Sequence, residues 1–165
     1  MNSEFIFKVG SHFLLMKHLN GVYNNCFSLP GYFSKNGISL EDNIAYLMNK
    51  IFSNQNFEFS ANKISFFQIY GNPERHLQYH LISSVFTIDS YELKSFDSKI
   101  ESEKSKFKLS LLDYINVENF SKTLKFEDEI DLDCEFVFLN SCDLNKYDLV
   151  LNSKEAIEKY NDYFI

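Results

Sequence analysis

Four polar side chains that can recognise a phosphate or a ribose follow one another near the middle of the chain. Arg75 precedes His76, Gln78 and His80, which share one face of a predicted strand. Guanidinium and imidazole N–H groups can donate hydrogen bonds to phosphate and ribose oxygens. Histidine pairs in strands are also common as exposed polar side chains, so both interpretations stay open at this point.

Carboxylates occur in two places where oxygen ligands for a divalent metal could gather. Glu41 and Asp42 lie in the first turn of a predicted helix, where acidic side chains also stabilise the helix dipole. Between 126 and 138, acidic and apolar residues alternate with the period of a strand. The acidic ones are Glu127, Glu129, Asp131, Asp133 and Glu135.

Same-face neighbours on a strand lie roughly 6.5 to 7 Å apart, which is too wide for one metal ion to bridge easily. The simpler interpretation of the 126–138 pattern is a solvated strand face whose like charges discourage edge pairing. The second interpretation of this pattern is an acidic face that binds a partner. A relocated metal site would need these acids, or Glu101 and Glu103, to reach the helix that contains Glu41.

Charge and cysteine content exclude several classes of protein. The formal net charge of -7 opposes non-specific nucleic-acid binding, which depends on clustered Lys and Arg. Cys26, Cys134 and Cys142 show no C-x-x-C spacing, which indicates free thiols rather than disulfides or structural zinc. No apolar run approaches the roughly 18 residues of a membrane span, and no signal-peptide pattern opens the sequence. We expect an acidic, cytoplasmic protein with no membrane or nucleic-acid partner.

Length and periodicity predict one α/β (α+β) domain over residues 1–165. Helical spacing follows Ser39, a residue type that caps helices. The predicted helices are 40–52 and 153–165, with a weaker helical pattern at 107–115. The predicted strands are 4–9, 12–18, 64–70, 77–89 and 134–139, with a turn at Pro30-Gly31. The polar segment 89–108 predicts a mobile loop.

Several segments, in this order, resemble the Nudix hydrolase family. The family signature is a loop-helix-loop written G-x5-E-x7-R-E-U-x-E-E-x-G-U, with U apolar, commonly preceded by L-P-G. The resembling segments are Leu29-Pro30-Gly31-Tyr32, Gly37 with the helix after Ser39, Gly71-Asn72-Pro73-Glu74-Arg75, the strand at 81–88 and the tail at 143–164. The resemblance implies a Nudix-like mixed sheet flanked by helices.

Counting from Pro30-Gly31, other residues take the positions of the signature's glutamates and arginine. They are Ile38 for the first Glu, Tyr46 for the Arg, Leu47 for the Glu beside it, and Lys50 and Ile51 for the paired glutamates. In the family these glutamates hold Mg²⁺ or Mn²⁺, which neutralises a diphosphate and helps make a water nucleophile. Leu, Ile and Lys cannot hold such an ion.

The resemblance therefore implies a degenerate Nudix protein that lacks ordinary metal-dependent pyrophosphohydrolase activity, needs no cofactor, and binds a nucleotide-like small molecule or a protein partner. Its ligand-binding residues would be Tyr32, Phe33, Tyr46, Arg75, His76 and His80. The alternative is a divergent hydrolase of nucleoside diphosphate-linked compounds such as ADP-ribose, with Mg²⁺ or Mn²⁺ on Glu41 and Asp42. A third hypothesis is an interaction protein whose Phe- and Tyr-rich surface supports a homodimer.

Overall fold

Nine strands and two α-helices form the part of the chain that the computed structural model describes, residues 2–33, 37–71, 82–96, 110–126, 132–150 and 152–164. The strands are β1 Asn2–Ile6, β2 Lys8–Val9, β3 His12–His18, β4 Phe27–Ser28, β5 Gly31–Phe33, β6 Phe57–Tyr70, β7 Ser83–Ser95, β8 Ser121–Phe126 and β9 Leu132–Asn140. The helices are α1 Leu40–Ile51 and α2 Ser153–Phe164, with 3-10 turns at Leu111–Asp113 and Ser141–Lys146.

The strands are divided between two sheets. The first has the order β5-β1-β7-β6, and the second has the order β2-β3-β9-β8 with β4 paired to β3. Strand β1 runs parallel to β7, whereas the other pairs are antiparallel. The predicted mixed sheet flanked by helices is confirmed, although its strands form two sheets rather than one central sheet.

Alternate side chains of the central strands enter two different cores. On β3, Leu14 and Met16 belong to the core that contains α1, while Phe13 and Leu15 belong to the core that contains α2. Strands β1 and β9 alternate in the same way. The sheets therefore form a middle layer with one helix on each side. No helix among the described residues is long and apolar enough to cross a membrane.

Helix α1 forms where the sequence predicts it. Ser39 caps it, because the Ser39 hydroxyl accepts a hydrogen bond from the Asp42 amide at 3.1 Å. The apolar residues Ile44, Leu47, Met48 and Ile51 repeat at helical spacing and are buried. The helix ends at the C-cap Phe52.

The prediction of a mobile loop at 89–108 is wrong for its first part. Strand β7 continues to Ser95, and residues 97–108 lie outside the described residues. Leu93 and Ser95 are buried while Glu92 and Lys94 are exposed, which is the alternation of a half-buried strand. The high content of Ser, Lys and Glu concealed this alternation. The predicted strand 77–89 is confirmed from Ser83 onward, and 77–81 lie outside the description.

Two further predictions need correction. Within the predicted helix at 107–115, the described residues form only the 3-10 turn Leu111–Asp113. The acidic face at Asp133 and Glu135 does not protect an edge, because β9 pairs with both β3 and β8. Lys125 lies opposite Asp133, and Ser121 Oγ donates to Glu135 Oε1 at 2.7 Å. Residues 127, 129 and 131 lie outside the described residues.

Gly31 allows β5 to approach β1 more closely than any other residue would. A Cβ atom at position 31 would lie 2.6 Å from the Ser3 carbonyl oxygen and 2.8 Å from Glu4 Cγ. Real Cβ atoms do not approach backbone oxygens this closely. The Phe5 amide also donates to the Pro30 carbonyl at 2.9 Å, so the L-P-G segment is bound directly to β1.

Gly31→Ala should lower the free energy of unfolding by about 1 to 3 kcal/mol, because the added methyl overpacks this contact. Gly71→Ala is the matched control, since among the described residues its Cβ would meet only Ile82 Cγ1, at 3.8 Å. The free energy of unfolding of that variant should be unchanged or higher by roughly 1 kcal/mol. Urea denaturation, monitored by circular dichroism, measures the free energy of unfolding of both variants. Equal stability of the two variants would contradict the close approach.

Candidate ligand-binding site

Helix α1 has an apolar face in the core and a polar face toward solvent. The buried side chains are Asn43, Ile44, Leu47, Met48 and Ile51. The exposed ones are Glu41, Asp42, Tyr46 and Lys50. The outward face thus carries carboxylates only in its first turn, where the partial positive charge of the helix N-terminus favours them.

The later turns of this outward face carry an aromatic ring and a cation. Lys50 Nζ lies 4.6 Å from the centroid of the Tyr46 ring, a cation–π contact. The ammonium group repels a second cation nearby. The later turns of this face therefore present a cation and no carboxylate.

A shallow cleft opens between the N-terminal half of α1 and the first sheet. Its lining residues are Ser3, Glu4, Phe5, Leu40, Asn43, Ile44 and Phe86. The enclosed volume is about 10 Å³, the space of roughly one water molecule. The Asn43 amide Nδ2 donates to the Ile38 carbonyl at 3.3 Å, which ties the wall of the cleft to the residues before the helix.

An aromatic pair extends the floor of this cleft. The rings of Phe66 and Phe86 lie on neighbouring strands with centroids 5.8 Å apart in an edge-to-face arrangement. Phe66 is 59% exposed, which is unusual for so large an apolar side chain. Exposed Ile69 lies further along β6, and exposed Ile82 directly precedes β7. The surface beside the cleft is therefore apolar and aromatic.

The predicted ligand-binding residues are only partly within the described structure. Tyr32 and Phe33 form β5, which places their backbone opposite Ser3 and Asn2 and in the sheet that floors the cleft. Their side chains lie outside the description. Tyr46 is on the outward face of α1 and is 51% exposed.

The remaining candidates, Arg75, His76 and His80, lie outside the described residues. Among the described residues, no group of three His, Cys, Asp or Glu side chains is placed to hold a metal ion. Sequence reasoning missed Asn43 and Phe86 as cleft residues. Asn43 interrupts the apolar stripe of α1, and that interruption is the signal that could have identified it.

Buried polar side chains join the L-P-G segment to α2, and the sequence analysis did not single them out. Glu4 is 2% exposed and accepts a hydrogen bond from Asn152 Nδ2 at 2.7 Å. Burial raises the pKa of Glu4 to about 7, and the Asn152 hydrogen bond opposes part of that rise. The Leu29 amide donates to Ser153 Oγ at 2.8 Å.

A second buried pair lies on the neighbouring strands. His18 Nε2 and Ser28 Oγ are 2.8 Å apart, and both residues are buried. Burial lowers the pKa of His18, which favours the neutral ring. The pair therefore satisfies polar groups inside the structure, and His18 adds no cation beside the L-P-G segment.

Comparison with solved structures identifies this arrangement. The NUDIX domain of NrtR from Shewanella oneidensis, solved in complex with ADP-ribose, matches with a TM-score of 0.58 at 12% sequence identity, over 99% of this chain and 87% of that chain. The chain has a Nudix-like fold. The structure of S. oneidensis NrtR matches with a TM-score of 0.58 at 12% identity, over 98% of this chain and 62% of that chain.

A MutT/nudix family protein from Enterococcus faecalis shares the Nudix-like fold with a TM-score of 0.51 at 15% identity, over 98% of this chain and 61% of that chain. The chain thus spans about three fifths of the length of these last two structures. No protein-family model and no curated protein matches the sequence.

The packing of α1 shows which of its residues could carry a carboxylate at the surface. Leu47 and Ile51, to which the sequence register assigns glutamate positions of the signature, are each 1% exposed and lie in the first core. Tyr46 and Lys50 occupy the outward face. A carboxylate could therefore be added at 46 or 50 at small cost, whereas one at 47 or 51 would be buried among apolar side chains.

Leu47→Glu should lower the free energy of unfolding by more than about 3 kcal/mol, because it leaves an uncompensated acid in the core. Lys50→Glu, with the same new side chain one turn away on the outward face, should cost about 1 kcal/mol or less. Thermal and urea denaturation compare the two. A well-tolerated Leu47→Glu would mean that α1 is rotated relative to the described packing.

Proposed function

We propose that this protein binds a nucleotide-like small molecule of the ADP-ribose class and does not hydrolyse it by metal-dependent chemistry. The observation that carries the proposal is the outward face of α1, where Tyr46 and Lys50 follow the acidic first turn. The fold provides a cleft beside this helix, while the helix does not provide the clustered carboxylates that diphosphate hydrolysis requires.

The chemical argument concerns charge. Hydrolysis of a diphosphate by a divalent ion needs several oxygen ligands around the ion, which then activates water and neutralises the phosphates. Glu41 and Asp42 are the two acids of α1, and both are consecutive residues on its first turn. Two exposed carboxylates hold such an ion weakly, because a divalent ion needs several oxygen ligands and water supplies the rest.

The argument for a nucleotide ligand combines the fold with the cleft. The Nudix-like NrtR domain of S. oneidensis was solved with ADP-ribose, and it covers 99% of this chain with a TM-score of 0.58. In this chain the polar residues Ser3 and Asn43 line the cleft beside the ring of Phe86. Polar groups at an aromatic surface suit a ligand that has a ribose and a flat base.

The cleft must widen before such a ligand can enter, since its enclosed volume is about 10 Å³. Leu40 and Phe86 line it, and the neighbouring Phe66 is exposed. Rotation of these side chains is the smallest movement that would extend the cleft toward Phe66. Binding should therefore be accompanied by a change at the Phe66–Phe86 pair.

Isothermal titration with ADP-ribose in the presence of Mg²⁺ tests the proposal. Binding should saturate at one ligand per chain, and Phe86→Leu should weaken it roughly threefold to tenfold, because ring contacts contribute about 0.5 to 1.5 kcal/mol. Phe96→Leu is the matched control, since Phe96 is exposed just beyond the other end of β7. That variant should bind like the unaltered protein.

Two results would overturn this function. If titration with ADP-ribose, AMP and ADP produces no heat of binding, the proposed ligand class is wrong. Appearance of AMP in the recovered titration mixture, dependent on Mg²⁺ or Mn²⁺ and abolished by Glu41→Gln with Asp42→Asn, would favour the divergent hydrolase instead. Chromatography of the mixture distinguishes the two.

A further inference from the structure

Asn20 is followed by a glycine in the turn between β3 and β4. Gly21 is exposed, and its φ of +81° lies in the left-handed region that glycine adopts without strain. A Cβ added at Gly21 would meet no described atom within 4 Å. Among the described residues the Gly21 amide donates no hydrogen bond, while its carbonyl accepts one from the Asn24 amide at 3.3 Å. The main-chain nitrogen that follows Asn20 is therefore accessible to water.

The side chain of Asn20 is hydrogen-bonded to the start of β9. Its Oδ1 accepts a hydrogen bond from the Asp133 amide at 3.1 Å, and the neighbouring Leu19 amide donates to the Asp133 carbonyl at 2.8 Å. A hydrogen bond to a carbonyl oxygen stabilises the negative charge that this oxygen gains when a nucleophile adds to the carbon. The Asp133 amide therefore makes Cγ of Asn20 more electrophilic.

Asn140 provides an internal comparison, because its side-chain oxygen has the same kind of partner. Asn140 Oδ1 accepts from the Cys142 amide at 3.0 Å. The amide that follows Asn140, however, belongs to Ser141, which has a Cβ, and it donates to the Ser11 carbonyl at 2.8 Å. Asn140 thus has the polarised carbon without the accessible nitrogen, whereas Asn20 has both.

We propose that Asn20 is a site of spontaneous, irreversible modification, at which its side chain cyclises onto Gly21 and becomes an acid. Hydroxide removes the proton of the Gly21 amide, and the nitrogen then bonds to Cγ of Asn20 to form a five-membered succinimide. The Cγ–Nδ2 bond breaks, and Nδ2 takes a proton from water and leaves as ammonia. A second water molecule opens the ring at either carbonyl, which leaves aspartate or isoaspartate at position 20.

The modification changes both charge and chain length at one point of the structure. A carboxylate at position 20 adds one negative charge to the formal net charge of -7. The isoaspartate form also inserts a methylene group into the main chain directly after Leu19. The hydrogen bond from the Leu19 amide to the Asp133 carbonyl lies beside this insertion and should weaken. Ageing of the protein should therefore loosen the end of the β3–β9 pair, and no step depends on the proposed ligand.

Incubation of the full chain in oxygen-18 water at mildly alkaline pH, followed by peptide mass spectrometry, measures the modification. The peptide that contains Asn20 should lose ammonia, gain a heavy oxygen and separate into an aspartate and an isoaspartate form. The peptide that contains Asn140 should be modified at least severalfold more slowly. The Asn20 reaction should be at least as fast in the folded protein as in urea, because unfolding removes the hydrogen bond from Asp133.

Two variants serve as a matched pair. Asn20→Gln keeps an amide but would have to close a six-membered ring, so modification at position 20 should fall severalfold or more. Asn36→Gln alters the other Asn-Gly pair of the sequence and should leave the rate at Asn20 unchanged.

Either of two results overturns the proposal. One is modification of Asn140 as fast as that of Asn20, and the other is a slower reaction of Asn20 in the folded protein than in urea. Both comparisons use the unaltered chain, so they hold even if Asn20→Gln fails to fold. Neither contains a nucleotide, so a failure of the ligand proposal leaves them unaffected.

Discussion

Packing of α1 against the first core decides which of its side chains can meet a ligand or an ion. Leu47, Met48 and Ile51 are each at most 1% exposed, and burial of such side chains contributes roughly 1.5 to 3 kcal/mol each. Rotation of the helix about its axis would forfeit much of that stabilisation. The outward position of Tyr46 and Lys50 is therefore a consequence of the core. The chemistry available beside the cleft follows from the packing of the opposite face.

The close approach of β5 to β1 is the second constraint, and it positions the cleft. It requires Gly31, and it brings the L-P-G segment over Glu4 and against the start of α2. In the function proposed above, backbone contacts shape the cleft, whereas a few exposed side chains determine the chemistry beside it. The proposed binding without turnover follows from this separation.

Sequence reasoning predicted elements wherever local chemistry determines them. The Ser39 cap and the apolar spacing of α1 depend on neighbours in the chain, and the helix formed as predicted. The β7 residues 89–95 were mistaken for a loop because their polar composition masks a period of two that only burial of Leu93 makes visible. The Glu4–Asn152 contact joins residues 148 positions apart, so no local pattern could indicate it. The sequence register placed Leu47 at a glutamate position of the signature, but it could not show that Leu47 is buried.

Binding of Mn²⁺ followed by electron paramagnetic resonance tests the central claim most directly, because it measures whether α1 can hold a divalent ion before any reaction is considered. Free Mn²⁺ should be titrated with the protein, alone and with ADP-ribose, and with the double substitution Glu41→Gln and Asp42→Asn. The outward face described here predicts no site tighter than roughly 10⁻⁴ M, and no difference between the unaltered protein and the double variant. A site of micromolar affinity that disappears in the double variant would contradict it.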